Sequence, residues 1–190
     1  MKTLAISLKI FFFFTVLTGI IYPLFITGIT QLAFPSKANG SLVYKDNKVV
    51  GSKLIGQQFD SACYFTSRPS AISFNPLPSG GSNYGLTNSK LKTIVSERRK
   101  QFIEFNQLDS LAEVPSEMIF ASASGLDPHI SPQAAFLQVD RIARARNFSS
   151  VQKQQLIRCV NDCKETRQFS LFGNERINVL LLNLGIDKIR

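Results

Sequence analysis

The densest cluster of reactive side-chain types in the chain is Ser124-Gly125-Leu126-Asp127-Pro128-His129-Ile130-Ser131-Pro132, which holds the single histidine. Serine, histidine and a carboxylate are the parts of a hydrolytic triad, in which imidazole takes the hydroxyl proton and the carboxylate orients the imidazole. The spacing opposes that chemistry. One rigid proline separates Asp127 from His129, Ser124 does not stand in a G-x-S-x-G elbow, and Asp-Pro and Ser-Pro pairs shape loops and helix starts. The stretch reads as a rigid loop that presents Asp127 and His129 to a partner or simply satisfies its own backbone, with no catalytic residue. A membrane-anchored hydrolase using Ser124, Asp127 and His129, or a tethered binding protein, is the alternative.

A second candidate is Ser79-Gly80-Gly81-Ser82-Asn83, whose backbone amides could cradle a phosphate. It lacks the Lys-Ser/Thr of a P-loop and the G-x-G-x-x-G of a dinucleotide fold, so a tight turn that contacts a partner is the simpler reading. The three cysteines offer little more. Cys159 and Cys163 stand four apart on one helical stripe, with Cβ atoms about 5–6 Å apart where a disulfide needs about 3.5–4.5 Å. They read as buried thiols, and with one histidine no metal site is expected. Arg141, Arg144 and Arg146 fall in the last turns of a helix, where cations complement the helix dipole. No aromatic residues interleave with them, so nucleic acid is not an expected partner.

These groups need elements to hold them, and the first element belongs in a lipid bilayer. Lys9 and Lys37 bracket 27 residues without a charge. The run Ile10 to Phe34 would be roughly 37 Å long as a helix, against a hydrocarbon core of about 30 Å. Signal-peptide cores run about 7–15 residues, so the segment reads as a retained anchor rather than a cleaved leader. Gly19, Pro23 and Gly28 are its candidate helix-packing positions, with a bend expected near Tyr22 and Pro23. Lys2 and Lys9 precede the span while Lys37, Lys45, Lys48 and Lys53 follow it, so loop charge alone does not set the orientation.

The expected organisation is an anchor over 1–36 (span about 10–34) and one small α+β extramembrane domain over 37–190. The chain's formal net charge is +9, and it is +7 without Lys2 and Lys9 of the anchor. A hairpin is expected around Asp46-Asn47, loop over 66–86, and a helix capped by Thr87 or Asn88, ending before about Asn106, with the stripe Leu91, Ile94, Val95, Phe102 and Phe105. Met118-Ile119-Phe120 reads as a short strand. Ser131 and Pro132 then start a helix carrying Ala135, Phe136, Val139, Ile142 and Ala143 on one face. Ser149 or Ser150 caps a third helix with the stripe Leu156, Cys159, Val160 and Cys163. Gln168 to Leu171 reads as a strand, Gly173-Asn174 as a turn, and periodicity leaves Asn178 to Lys188 as helix or buried strand.

The segments GSKLIGQQF (51–59), YFTSRPS (64–70), SGGSN with G-x-T-N (79–88), GLDPHISPQAAFLQVDRIARAR (125–146) and INVLLLNLGID (177–187) run over nearly the whole chain. In that order they resemble the C subunit of the bacterial high-affinity potassium-transporting P-type ATPase, the Kdp complex. Tyr84, Leu86, Phe120 and Ala123 stand where that family usually carries Leu, Pro, Thr and Gly. The resemblance implies a non-catalytic accessory subunit of the inner membrane, with the N-terminus cytoplasmic and the domain outside. Its implied partners are a channel-like potassium-binding subunit and an ATP-hydrolysing subunit, and ATP, Mg and potassium would belong to that complex, with no cofactor of the chain's own. The family is also described as a catalytic chaperone that raises ATP affinity of the hydrolysing subunit, which gives ATP-binding as an expectation. A domain outside the membrane cannot touch cytosolic ATP, so direct contact would require the opposite topology.

Overall fold

The structure, a computed structural model, describes residues 2–189. The chain divides into two compact units between Val50 and Gly51. The first begins with a helix long and apolar enough to cross a membrane, Lys2–Ala33, 32 residues with a mean hydropathy of 2.2. It comprises α1 (Lys2–Val16), a π-helical turn (Leu17–Ile21) and α2 (Tyr22–Ala33). The bend expected at Pro23 is thus a widened turn just before it. The Tyr22 N–H donates to the Leu17 carbonyl, five residues back, and Pro23, which has no N–H, follows as the start of a regular helix. The hydroxyls of Thr15, Thr18, Thr27 and Thr30 donate to carbonyls four residues back, so none needs an external partner. A Cβ added at Gly19 or Gly28 would meet nothing within 4 Å.

After the short α3 (Pro35–Ala38), β1 (Leu42–Lys45) and β2 (Lys48–Ser52) form a two-stranded sheet. Asp46 and Asn47 turn it with φ of 51° and 59°, the paired left-handed conformation that such hairpins require.

The second unit is built around α5 (Pro132–Ala145), packed against α4 (Ser89–Asn106) and α6 (Ser150–Asp162). Three caps foreseen from side-chain type are in place. Asn88 accepts from Lys90 N, Ser131 from Ala134 N, and Ser149 from Gln152 N in a reciprocal capping box. A small antiparallel sheet of order β3-β5-β4 joins β3 (His129–Ile130), β5 (Arg176–Asn178) and β4 (Lys164–Glu165). Asn178 ends β5 and caps α7 (Val179–Ile186), which settles the final segment as a helix. The core joins Phe102 of α4, Ile130 of β3, Val139 and Ile142 of α5, Leu156 and Val160 of α6, Ile177 of β5, and Leu182 and Ile186 of α7 with Phe65 from an irregular segment.

Several expectations are corrected. Met118-Ile119-Phe120 is no strand: Ser116–Met118 is a single 3-10 turn, closed by Ile119 N donating to Ser116 O. Gln168 to Leu171 is a tight turn whose ends pair as Gln168↔Phe172, while the strands lie outside it at β4 and β5. Helix α4 runs through Asn106. Phe105 and Phe136 sit on apolar stripes yet are 39% and 42% exposed. Arg141, expected only to complement the dipole at the end of its helix, is buried at 4% exposure. Cys159 and Cys163 are half-buried free thiols rather than fully buried ones, and their shared hydrogen bond, together with burial, pushes the Cys159 thiol up.

Arg141 is buried because irregular chain passes through the core beside it. Residues 61–67 have no sheet partner, yet Phe65 is wholly buried, so the segment's backbone groups need side chains to satisfy them. Arg141 donates to the carbonyls of Ala62 (2.5 Å) and Tyr64 (2.9 Å), to Asn106 Oδ1 (2.9 Å) and to Gln138 Oε1 (2.9 Å). Gln138 Oε1 also accepts Thr66 N, and the Asn183 amide brackets Phe65, accepting its N–H (2.8 Å) and donating to its carbonyl (3.0 Å).

Candidate functional site

The segment pinned by Arg141 delivers Arg68 to the loop before β3. Asp127 is the hub there. Its Oδ2 accepts from Arg68 Nη1 at 2.6 Å, and its Oδ1 accepts from His129 N at 3.0 Å and lies 3.4 Å from His129 Nδ1. The bond to His129 N closes a turn over Pro128, a local use of aspartate that fixes chain direction. Burial alone would raise the Asp127 carboxyl. Hydrogen bonds from the His129 side chain and N–H, with the hydrogen bond and charge of Arg68, outweigh it and hold the group at about 2.

The loop is tied down on all sides. Gly56 N donates to Leu126 O at 2.7 Å, and a Cβ at Gly56 would lie 2.7 Å from Asp127 O, so only glycine allows this approach. Val179 N donates to Pro128 O, binding the loop to the start of α7. Ser124 Oγ accepts from Leu126 N within its own turn. Among the described residues no hydrogen bond joins Ser124 to His129, so the three parts of a triad are present without the relay that would activate the serine.

The two loops singled out in the sequence meet in space. Gly80 N donates to Ser124 O at 3.1 Å, and Gly81 lies against Ala123, where an added Cβ would be 3.2 Å from its carbonyl. Gly125 adopts φ +69°, and a Cβ there would strike Gly80 O at 2.9 Å. Ser79–Asn83 is therefore a brace for the Asp127 loop, with the Gly80 amide committed to a carbonyl rather than open to a phosphate. Asn83 has φ 53°, the left-handed turn conformation that asparagine tolerates.

Arg68, Glu117, Asp127, His129, Ser131 and Arg176 line a polar cavity of about 480 Å³. Glu117 Oε1 accepts from Ser131 N, and Arg176 pairs with Glu165. Arg68 Nε is buried without a hydrogen-bond partner among the described residues. The arrangement is a charged, nearly saturated surface on a rigid base, suited to docking and poorly suited to turnover. Sequence reasoning missed Arg68 and the buried role of Arg141. Arg68 lies in the segment YFTSRPS, but its link to Asp127 spans 59 residues and no local pattern reports it.

The sequence profile of the family described as "KdpC: K+-transporting ATPase, c chain" matches residues 4–188. The chain belongs to the KdpC family. It is 45% identical over 183 residues to the potassium-transporting ATPase KdpC subunit of Polynucleobacter asymbioticus, covering 95% of each chain. The KdpC subunit of Dechloromonas aromatica is 44% identical over 195 residues, covering 100% of this chain and 99% of its own. That of Pectobacterium atrosepticum is 44% identical over 191 residues, covering 99% and 97%. These KdpC relatives match both the apolar helix and the domain that carries the Asp127 loop.

Proposed function

We propose that the chain is the accessory subunit of an ATP-driven high-affinity potassium uptake complex. It assembles and stabilises a channel-like potassium-binding subunit together with an ATP-hydrolysing subunit. The observation that carries this reading is the family match over residues 4–188. The Asp127 loop supports it, because its polar groups are consumed by the fold rather than poised for chemistry. Potassium coordination needs no residue of this chain, since ion filters are built from backbone carbonyls of a dedicated pore. We further propose a bacterial inner-membrane location with the N-terminus cytoplasmic and the domain outside. On that topology the subunit raises ATP affinity of its hydrolysing partner through assembly, without touching nucleotide.

Detergent copurification from the native membrane tests the assembly, with potassium-dependent ATPase activity as the second readout. Both should be lost without this chain. Topology is tested by Ser96→Cys on the exposed face of α4, treated in whole cells with a membrane-impermeant thiol reagent. Labelling only after lysis would overturn the outside placement and restore direct nucleotide contact as the better reading. Gly19→Leu or Gly28→Leu should weaken partner recovery by about 1–2 kcal/mol if these positions admit a neighbouring helix. Unchanged recovery with both substitutions would reduce the helix to a passive tether.

A further inference from the structure

Three of the domain's most exposed large apolar side chains lie within four residues of one another. Phe169 is 88% exposed, Leu171 76% and Phe172 65%, while Leu77, Leu86 and Leu111 stand singly along the chain. They occupy the tip that joins β4 to β5. The tip is closed rather than loose: Gln168 and Phe172 exchange both backbone hydrogen bonds at 2.9 Å, and Ser170 N donates to Arg167 O at 3.1 Å. Phe169 and Ser170 hold φ of 52° and 60°. A bulky residue in that left-handed region is uncommon, and here it keeps the phenyl ring pointing outward on a convex turn.

The charges around the tip are largely paired and leave one cation, Arg167, in excess. Across the base of the tip Lys164 pairs with Glu175 at 3.3 Å and Arg176 with Glu165 at 2.8 Å, and Arg167 is exposed beside the ring of Phe169 in sequence. A convex point of phenyl and aliphatic groups beside a cation matches the boundary between acyl chains and anionic headgroups. A protein hot spot would instead favour Trp, Tyr or Arg seated in a closely fitting pocket. The apolar helix Lys2–Ala33 keeps lipid at high effective concentration around the domain.

We propose that the tip Gln168–Phe172 is a second membrane contact, with Phe169, Leu171 and Phe172 inserted at the headgroup–acyl boundary and Arg167 meeting lipid phosphate. The proposal rests on the reading that Lys2–Ala33 spans the bilayer. The chain contains no tryptophan, so single-tryptophan variants give an uncluttered signal. The full chain is reconstituted into vesicles of phosphatidylcholine and phosphatidylglycerol carrying Phe169→Trp, Leu171→Trp, Val151→Trp on exposed α6, or Phe25→Trp in the apolar helix. Lipids with brominated acyl chains serve as the quencher. The expected result is blue-shifted emission and loss of most intensity at 169 and 171, with emission at 151 unchanged. Arg167→Glu should reduce the loss more in vesicles containing phosphatidylglycerol than in pure phosphatidylcholine, and a loss equal to that of the parent variant in both overturns the Arg167 contact. Quenching at 25 without quenching at 169 and 171 overturns the tip contact and leaves the anchor standing. Absence of quenching at all three overturns both. A blue shift at 169 and 171 without bromine quenching assigns the tip to a protein surface or a second copy, and likewise overturns the lipid contact.

Discussion

Replacing Arg141 by leucine should unfold the domain at markedly lower temperature, and the structure sets the size of the effect. The substitution leaves the carbonyls of Ala62 and Tyr64 and the amide oxygen of Asn106 without their donor, while Gln138 Oε1 retains Thr66. Each orphaned buried acceptor costs about 1–3 kcal/mol, for a gross loss of about 3–9 kcal/mol. The guanidinium also lies 4.3 Å from the Phe105 ring centroid, a contact that explains why this phenylalanine stays on the surface. Against these losses stands the desolvation of the charge, which burial signals by lowering the Arg141 pKa to about 10. Leucine removes that cost. The net destabilisation should be about 3–5 kcal/mol, the lower part of that gross loss, because no charged partner is left behind and the cost of burying the guanidinium is recovered. For a domain of this size that corresponds to a fall in Tm of about 6–20 °C. Thermal unfolding of the full chain in detergent, followed by circular dichroism, reads it. Arg141→Lys should recover only part, since an ammonium cannot reach acceptors spread around a planar fork. A loss under about 1 kcal/mol for Arg141→Leu would refute the claim that this side chain holds residues 61–67 in the core.

Asp127→Asn should cost about 1 kcal/mol at neutral pH, because the Arg68 contact is only partly buried. The Asp127 carboxyl is held at about 2, below its ordinary 3.8, so its stabilisation is complete above that ordinary value and vanishes as pH falls through about 2. The Tm gap between native chain and variant should close across that interval, and a gap constant throughout would refute the assignment. Ser131→Ala should lower stability by about 1 kcal/mol through the lost cap on Ala134 N, whereas His129→Ala should leave Tm nearly unchanged and act on partner recovery. Gly56→Ala should displace the Asp127 carbonyl and lower both stability and partner recovery, an effect absent for Gly85→Ala, where an added Cβ meets nothing within 4 Å.

What could be read in advance was local chemistry. Asn88, Ser131 with Pro132, and Ser149 announce helix starts because a side-chain oxygen of the right reach can satisfy an amide two or three residues on. Asp46-Asn47 announces a hairpin because both residues accept positive φ. The misses are non-local. Strands of two or three residues, such as β3 and β4, are too short to show alternation, and Met118-Ile119-Phe120 resembles a strand in composition while its neighbours supply no pairing partner. The burial of Arg141 follows from carbonyls 77 and 79 residues away, and the Arg68–Asp127 pair from a segment 59 residues away. Residues 124–132 were recognisable as a rigid loop and 79–83 as a tight turn, but their contact through Gly80 and Ser124 belongs to the folded chain alone.

The π-helical turn at Leu17–Ile21 carries a consequence for how the apolar helix must be mapped. One residue beyond the regular turn rotates everything after it by about 100° relative to an uninterrupted helix. A stripe drawn from α1 at regular spacing therefore lands on a different side once it reaches α2. Gly19 lies within the inserted turn and Gly28 nine residues further, so a helical wheel drawn for one continuous helix misplaces one against the other. Substitution scanning from Lys9 to Ala33 should give two ripples of sensitivity, out of phase at the turn. Deleting one residue between Leu17 and Ile21 should bring them into phase while exchanging the surface that α2 offers to its neighbours.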